Sequence, residues 1–254
     1  MKVYFLGTGT SQGIPVIGSR HPVCLSNDPR DKRLRVSVWI QWEGCSLVID
    51  CGPDFRQQML ASGCSHVDAI FYTHEHADHT AGLDDIRPLN FQNGPMPLYA
   101  HPRVLDNLRK RFDYVFQIEN RYPGAPSVIS HVVENEKNIP FKGKEIIPIN
   151  VMHGGLQIFG YRIDDFAYLT DVKTIDDEEM LKLKGIKILV VNALRFEPHD
   201  MHFNLEEALS FISKVNPEKA YLTHISHLFG FHEEVQNQLP ENIYLAFDNL
   251  EITI

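Results

Sequence analysis

Six consecutive residues, His74-Glu75-His76-Ala77-Asp78-His79, follow closely on the apolar run Ala69-Ile70-Phe71-Tyr72. A run of this kind reads as a buried strand, and Thr80-Ala81-Gly82-Leu83 after it reads as the start of a helix. The chain must therefore bring three imidazoles and a carboxylate to a strand-to-helix loop at the edge of its core. Side chains at i, i+2, i+4 and i+5 on such a loop cannot all face one ion. They can divide between two ions a few ångströms apart, His74 and His76 on one, Asp78 and His79 on the other. A surface loop rich in His by chance is the alternative, and His and Asp residues further along the chain weigh against it.

At 254 residues the chain is long enough to bury a full core and is expected to form one domain over residues 1–254. No segment approaches the roughly 18 consecutive apolar residues of a membrane span. The start, Met1-Lys2-Val3-Tyr4-Phe5-Leu6-Gly7, is too short for a signal peptide and reads as the first core strand, which leaves a cytoplasmic location as the default. Cys24, Cys45, Cys51 and Cys64 make no close-spaced disulfide framework. The net charge of −9 argues against general affinity for nucleic acid, which rests on Lys and Arg neutralising phosphates. A small anionic substrate held by metal and a few local cations is compatible with it.

Apolar runs mark strands at 3–6, 36–42, 47–49, 69–72, 98–100, 146–152, 157–163, 167–169, 188–192, 220–222 and 243–247. Helical periodicity marks 55–61, 104–112, 177–183, 205–215 and 233–239. Strands in two halves with helices between and after them suggest two sheets face to face with helices outside, although the pattern alone also allows a doubly wound sheet. The stretches Asn93-Gly94-Pro95-Met96-Pro97 and Tyr122-Pro123-Gly124-Ala125-Pro126 read as loops bounding a variable insertion. Asp176-Asp177-Glu178-Glu179 reads as a helix N-terminus favoured by the dipole.

Three more candidates stand at strand exits: His153 before Gly154-Gly155, Asp171 after Ala167-Tyr168-Leu169-Thr170, and His224 after Ala220-Tyr221-Leu222-Thr223. A strand terminus fixes an exposed side chain on rigid backbone. Any one of them alone reads as a core or surface residue; three in the same arrangement, after the His74–His79 motif, read as ligands.

With Thr73-His74-Glu75-His76-Ala77-Asp78-His79 and these later residues, the chain resembles the metallo-β-lactamase-fold hydrolases nearly from end to end. The resemblance implies an α/β fold, a four-layer αβ/βα sandwich. It implies one ion on His74, His76, His153 and Asp171 and a second on Asp78, His79, Asp171 and His224, with Asp171 shared. Asp50, in Val48-Ile49-Asp50-Cys51-Gly52, would orient ligands through hydrogen bonds. The resembling flavodiiron proteins carry Glu where this chain has His76, so the imidazole favours hydrolysis with zinc or manganese over iron redox chemistry.

Leu6-Gly7-Thr8-Gly9-Thr10-Ser11 is similar to the phosphodiesterase branch of the fold, its glycines allowing a tight turn close to the site, and equally reads as an ordinary strand-ending loop. Ile14-Pro15-Val16-Ile17-Gly18, Thr223-His224-Ile225-Ser226-His227 and Ala246-Phe247-Asp248-Asn249-Leu250-Glu251-Ile252 resemble the PhnP-type phosphoribosyl cyclic phosphodiesterases. That resemblance implies catalytic roles for His202 and for Asp78, and a homodimer. For His202 the alternative is that Asn204 caps the next helix and His202 merely flanks it. The family's additional structural zinc, held by a Cys-x-Cys-x-x-Cys run and a His, would here draw on His21, Cys24 and His227, one ligand short of the four such a site takes.

The chemistry implied is phosphodiester hydrolysis. A water between two cations is acidified toward neutrality and set in line with phosphorus, while protonated His202 serves a phosphoryl oxygen or the departing alkoxide. Lys173 and Arg195 are candidate cations for a remote phosphate, although solvated surface positions fit them better. The stretch 87–149 is expected to supply groups that select the substrate. A tRNA 3′-end nuclease is the first rival, opposed by the acidic charge and the absence of a basic, Gly/Pro-rich arm. A metal-stabilised binding module and a hydrolase of lactams or thioesters are the others.

Overall fold

Period-two alternation settles how many layers this chain needs. In Cys45-Ser46-Leu47-Val48-Ile49 every residue is buried; Cys45, Leu47 and Ile49 belong to one apolar cluster and Val48 to another. Ile188 and Val190 likewise join the first cluster, while Leu189 and Val191 join a third. Successive strand residues point to opposite faces, so strands apolar on both faces must be covered on both. Two sheets that share one core and carry helices outside satisfy that demand.

A computed structural model describes residues 1–119 and 121–254; Asn120, inside the 87–149 stretch, lies outside them. The strands are β1 (Lys2–Gly7), β2 (Ser37–Trp42), β3 (Cys45–Ile49), β4 (Ala69–Phe71), β5 (Met96–Ala100), β6 (Val128–Val132) and β7 (Ile139–Phe141). They continue with β8 (Lys144–His153), β9 (Leu156–Ile163), β10 (Phe166–Tyr168), β11 (Ile188–Asn192), β12 (Lys219–Thr223), β13 (Ile243–Leu245) and β14 (Glu251–Thr253). One sheet has the order β14-β1-β2-β3-β4-β5-β6 and the other β13-β12-β11-β10-β9-β8-β7. In each, one half is antiparallel and the other parallel: β3, β4, β5 and β6 run together, as do β10, β11, β12 and β13. This is the α/β sandwich of the metallo-β-lactamase fold.

Between the sheets lie Phe5, Ile40, Leu47, Phe71, Tyr161 and Tyr168, all fully buried. Helix Leu205–Val215 covers the second sheet through Leu205, Ala208, Phe211 and Ile212, an i, i+3, i+6, i+7 stripe along one face of an amphipathic helix. Asn204 and Glu207 close a reciprocal capping box at its start, and Asn216 ends it in the left-handed conformation (φ 56°). Helix Pro102–Arg111 covers the first sheet through Val104, Leu105 and Leu108. No helix among the described residues is long and apolar enough to cross a membrane.

Several expectations need correction. Strands β6, β7 and β14 have no counterpart in the apolar runs: β6 and β14 are edge strands, half exposed, so too few of their residues are apolar to make a run. The 93–97 stretch is not all loop, because β5 begins at Met96 and Pro97 pairs with Ile129 on β6. The region between the two Pro/Gly-rich stretches holds the rest of β5 and the helices Pro102–Arg111 and Asp113–Phe116. The helical turn after β4 begins at Ala77, inside the His/Asp motif, and spans Ala77–Thr80. Gly7 and Gly9 make no left-handed turn; a Cβ on Gly7 would lie 2.0 Å from the Arg35 carbonyl oxygen, so this glycine permits close strand contact.

Gly52 serves the site in the same way. A Cβ there would lie 2.0 Å from the carbonyl oxygen of Asp78, and Cys51 on one side bonds His79 O through its N–H (2.8 Å) and accepts from Gly82 N (2.9 Å). The backbone after β3 is thus pressed against the turn that carries Asp78 and His79. Gly52→Ala should cost roughly 2 kcal/mol of stability, since neither backbone can yield without moving the other. Urea unfolding checks this, and an unchanged midpoint would show that the contact is slack.

Candidate metal centre

The residues marked for the two-cation site, with Asp50 beside them, leave strands at the same edge of the sandwich. Asp50 directly follows β3, the motif follows β4, His153 ends β8, Asp171 lies three residues beyond β10, and His224 directly follows β12. β3 and β4 are parallel, and β8, β10 and β12 share one direction, so these exits align within each sheet. Cross-sheet bonds bring the two edges together: Phe159 N donates to Thr73 O (3.0 Å) and the Tyr161 hydroxyl to Tyr72 O (2.6 Å).

Asp50 (φ 66°), Asp171 (φ 59°) and His224 (φ 55°) all adopt left-handed backbone. For a non-glycine residue that costs on the order of 1 kcal/mol and persists only where the surroundings enforce it. Asp50 N bonds Phe71 O (2.9 Å). Beyond Asp171, the Asn192 side chain accepts from Val172 N (2.7 Å) and donates to Val172 O (3.1 Å). Beyond His224, Ile225 N donates to Thr8 O (2.9 Å), so the Gly-Thr-Gly stretch holds this exit in place.

The side chains converge in overlapping groups. Donor atoms of His74, His76 and His153 lie within 4.8 Å of one another, as do those of Asp78, His79 and His224. Asp171 lies between them. Its oxygens converge with donors of His74 and His79 and, separately, of His153 and His202; Oδ2 is 3.4 Å from His79 Nε2 and Oδ1 is 3.2 Å from His224 Nε2. His74 Nε2 and His76 Nδ1 are 2.9 Å apart. His74, His79, His153, Asp171 and His224 are buried, whereas His76 is exposed and Asp78 half-buried, which puts the mouth of the site on their side.

The far edges of the imidazoles are fixed by partners that sequence reading largely missed. His79 Nδ1 contacts Asp50 Oδ2 (2.7 Å), and Thr73 gives Asp50 two more donors, N and Oγ1 (2.8 Å each). His153 Nδ1 contacts the Met201 carbonyl (2.8 Å), and Thr170 Oγ1 donates to Asp171 Oδ2 (2.6 Å). Such partners set the tautomer and leave the other nitrogen for a ligand. Of these only Asp50 carried a local signal, an acid directly after an apolar run.

Burial alone would raise the Asp171 carboxyl, but the imidazoles of His224, His79 and His202 outweigh it and hold the group well below the usual carboxylate range. Asp78 is lowered in the same way by His79 and His224 against its burial. Burial likewise opposes charge on His79, yet Asp78, Asp50 and Asp171 carry it well above its ordinary value, while burial lowers His74. The carboxylates thus demand positive charge at this point. His79 Nε2, both ring nitrogens of His224 and His202 Nδ1 are buried without a hydrogen-bond partner among the described residues. A native fold rarely leaves so many buried polar atoms unpaired. Carboxylates facing unpaired imidazole nitrogens are a donor set suited to divalent cations such as zinc or manganese.

His202 also reaches the centre. Its Nδ1 is 3.5 Å from Asp171 Oδ1, and its ring centroid is 4.6 Å from that of His153 and 4.9 Å from that of His224. Asn204 does cap the next helix, so both readings of this segment hold at once. Burial brings His202 down to about 3 against the pull of the Asp171 carboxylate. Lys173 and Arg195 are otherwise engaged: Lys173 Nζ pairs with Glu207 (2.6 Å), and Arg195 bonds the carbonyls of Glu197 (3.4 Å) and Pro198 (3.2 Å).

The His21, Cys24 and His227 donors are not among the groups that converge within 4.8 Å. The His21 and His227 rings are 5.1 Å apart, but His21 Nδ1 caps helix Pro22–Leu25 by accepting from Val23 N (3.4 Å), and Cys24 Sγ accepts from Val16 N (3.5 Å). His227 Nδ1 is buried without a hydrogen-bond partner among the described residues.

Residues 46–225 match the family model described as a β-lactamase superfamily domain. A solved diphosphatase of the PhnP family is 43% identical, with a TM-score of 0.92 over 99% of this chain and 96% of that one. An octanoyltransferase of Porphyromonas gingivalis is 40% identical across the full chain and 52% of its own length. A ribonuclease Z of Enterococcus faecalis is 30% identical over 73% of this chain and 54% of its own. The chain thus spans about half the length of these two curated relatives. Fold, converging donors and these similarities agree: the chain belongs to the metallo-β-lactamase superfamily and, within it, to the PhnP family.

Proposed function

We propose that this chain hydrolyses a small phosphodiester, a five-carbon sugar cyclic phosphate being the leading class, with two divalent cations, zinc or manganese. The observation that carries this reading is the pair of donor groups meeting at Asp171. His74, His76, His153 and Asp171 would hold one cation, and Asp78, His79, His224 and Asp171 the other. Bound by these residues, the cations would supply an acidified water and neutralise charge on the phosphoryl oxygens.

The chain's own groups do the rest. Asp50 and Thr73 hold the His79 ring so that Nε2 points inward. Asp78, at the mouth, accepts a hydrogen bond from the incoming water and so orients it. His202 is neutral in the free site, and an arriving phosphoryl group favours its protonated form electrostatically. It then donates to a phosphoryl oxygen or gives its proton to the leaving alkoxide.

A diphosphate linkage is the second reading, favoured by the 43% identity to the PhnP-family diphosphatase. Both substrates offer phosphorus between two bridging oxygens; they differ in the leaving group, which is a basic alkoxide in one and a much less basic phosphate in the other. The net charge of −9 disfavours tRNA as substrate.

Chelation should abolish cleavage of bis(p-nitrophenyl) phosphate, and zinc or manganese should restore it; fully metallated protein that cleaves no activated phosphodiester would favour a binding module instead. His202→Ala should lower kcat/KM on an alkyl phosphodiester about 10²–10⁴-fold with metal content unchanged. Metal loss with intact activity per ion would overturn its role. On a diphosphate the same substitution should cost much less, because phosphate departs without a proton.

A further inference from the structure

Glu75, between His74 and His76, is not among the converging donors. Its Oε1 accepts from Arg103 Nε (2.7 Å), and its Oε2 is buried with no partner among the described residues. Arg103 Nη2 donates to the carbonyl of Gln157 (2.5 Å) on β9. Gln157 pairs with Met152, and the next pair in the ladder is His153 with Leu156. One guanidinium therefore spans the two sheets, from the loop that carries His74 and His76 to the hairpin that carries His153.

Arg103 is itself held firmly. It lies in the first turn of helix Pro102–Arg111, where His101 Nδ1 accepts from Arg103 N (3.2 Å) and the His101 ring lies 5.7 Å from Phe159. Two turns on, Arg111 Nη1 donates to Thr80 Oγ1 (2.7 Å) and to Glu75 O (3.2 Å), and Thr80 Oγ1 donates to His76 O (2.8 Å). Residues 103, 107 and 111 fall on one helix face, and Arg111 also contacts Asn107 (3.5 Å). The helix thus presents a polar stripe to the motif. Only a fork of separate donors reaches a carboxylate and a carbonyl in different directions, which a lysine ammonium cannot reproduce as well.

We infer that Arg103 is a positioning residue: through Glu75 and Gln157 it sets the spacing of His74 and His76 against His153, and so governs how tightly that one ligand group holds its cation. The group of Asp78, His79 and His224 receives its support elsewhere, from Asp50 and from the Thr8–Ile225 bond. The inference rests on the two-cation reading above.

The test is calorimetric titration of metal-free protein with Zn²⁺. Wild type should take up two cations. Arg103→Ala should weaken one of the two about 10–100-fold, the range usual for groups that orient metal ligands, and leave the other within about threefold. Arg103→Lys should recover part of the loss. Glu75→Gln combined with Arg103→Ala should weaken that cation no further than Arg103→Ala alone, as expected of residues acting as one unit. Unchanged binding of both cations in Arg103→Ala overturns the inference, as does equal weakening of both, which would mark general loosening. A wild-type chain that binds fewer than two cations overturns the two-cation reading itself. Thermal unfolding of the metal-free variants, expected to stay near wild type, separates misfolding from lost positioning.

Discussion

Carboxylates and imidazoles packed together out of water need a compensating charge, and most of the architecture around this site follows from that need. Isolated buried charge costs several kcal/mol, and a folded chain tolerates it only with partners in fixed geometry. Asp171 is 2% exposed, and its donors converge with those of His74 and His79 and of His153 and His202. The strand-exit placement, the left-handed residues and the cross-sheet bonds are all ways of keeping these groups from turning toward water or away from one another.

Much of this was legible in the sequence because it is written locally. The motif stands after an apolar run, and Asp50, His153, Asp171 and His224 each stand at or just past the end of another, so strand pattern and ligand chemistry coincide. The partners of the ligands were not legible, because they arrive from distant segments. Met201 O reaches His153 across 48 residues and Asn192 locks the backbone beyond Asp171 across 20. Arg103 and Arg111 drew no reading at all, because nothing near them in the sequence points to the loop they face. Edge strands such as β6 and β14 escaped for a different reason: with one side open, their apolar content falls below what a run can reveal.

Helix capping and active-site proximity also proved compatible in one short segment. Asn204 caps through its own side chain and leaves His202, two residues earlier, free to lean against Asp171. By contrast, His21 spends its Nδ1 on capping, and its donors are not among the described groups that converge within 4.8 Å. The same residue type at a helix start thus serves backbone or centre according to which donors lie nearest.

The chain ends have a consequence of their own. Met1 N donates to Ile254 O (2.9 Å), and Lys2 on β1 pairs with Thr253 on β14, so both termini lie side by side. β1 runs from there to the Gly-Thr-Gly stretch beside Ile225, and six residues of strand span roughly 20 Å. Another folded unit attached at either end would therefore hang from the edge remote from the mouth, leaving substrate access open.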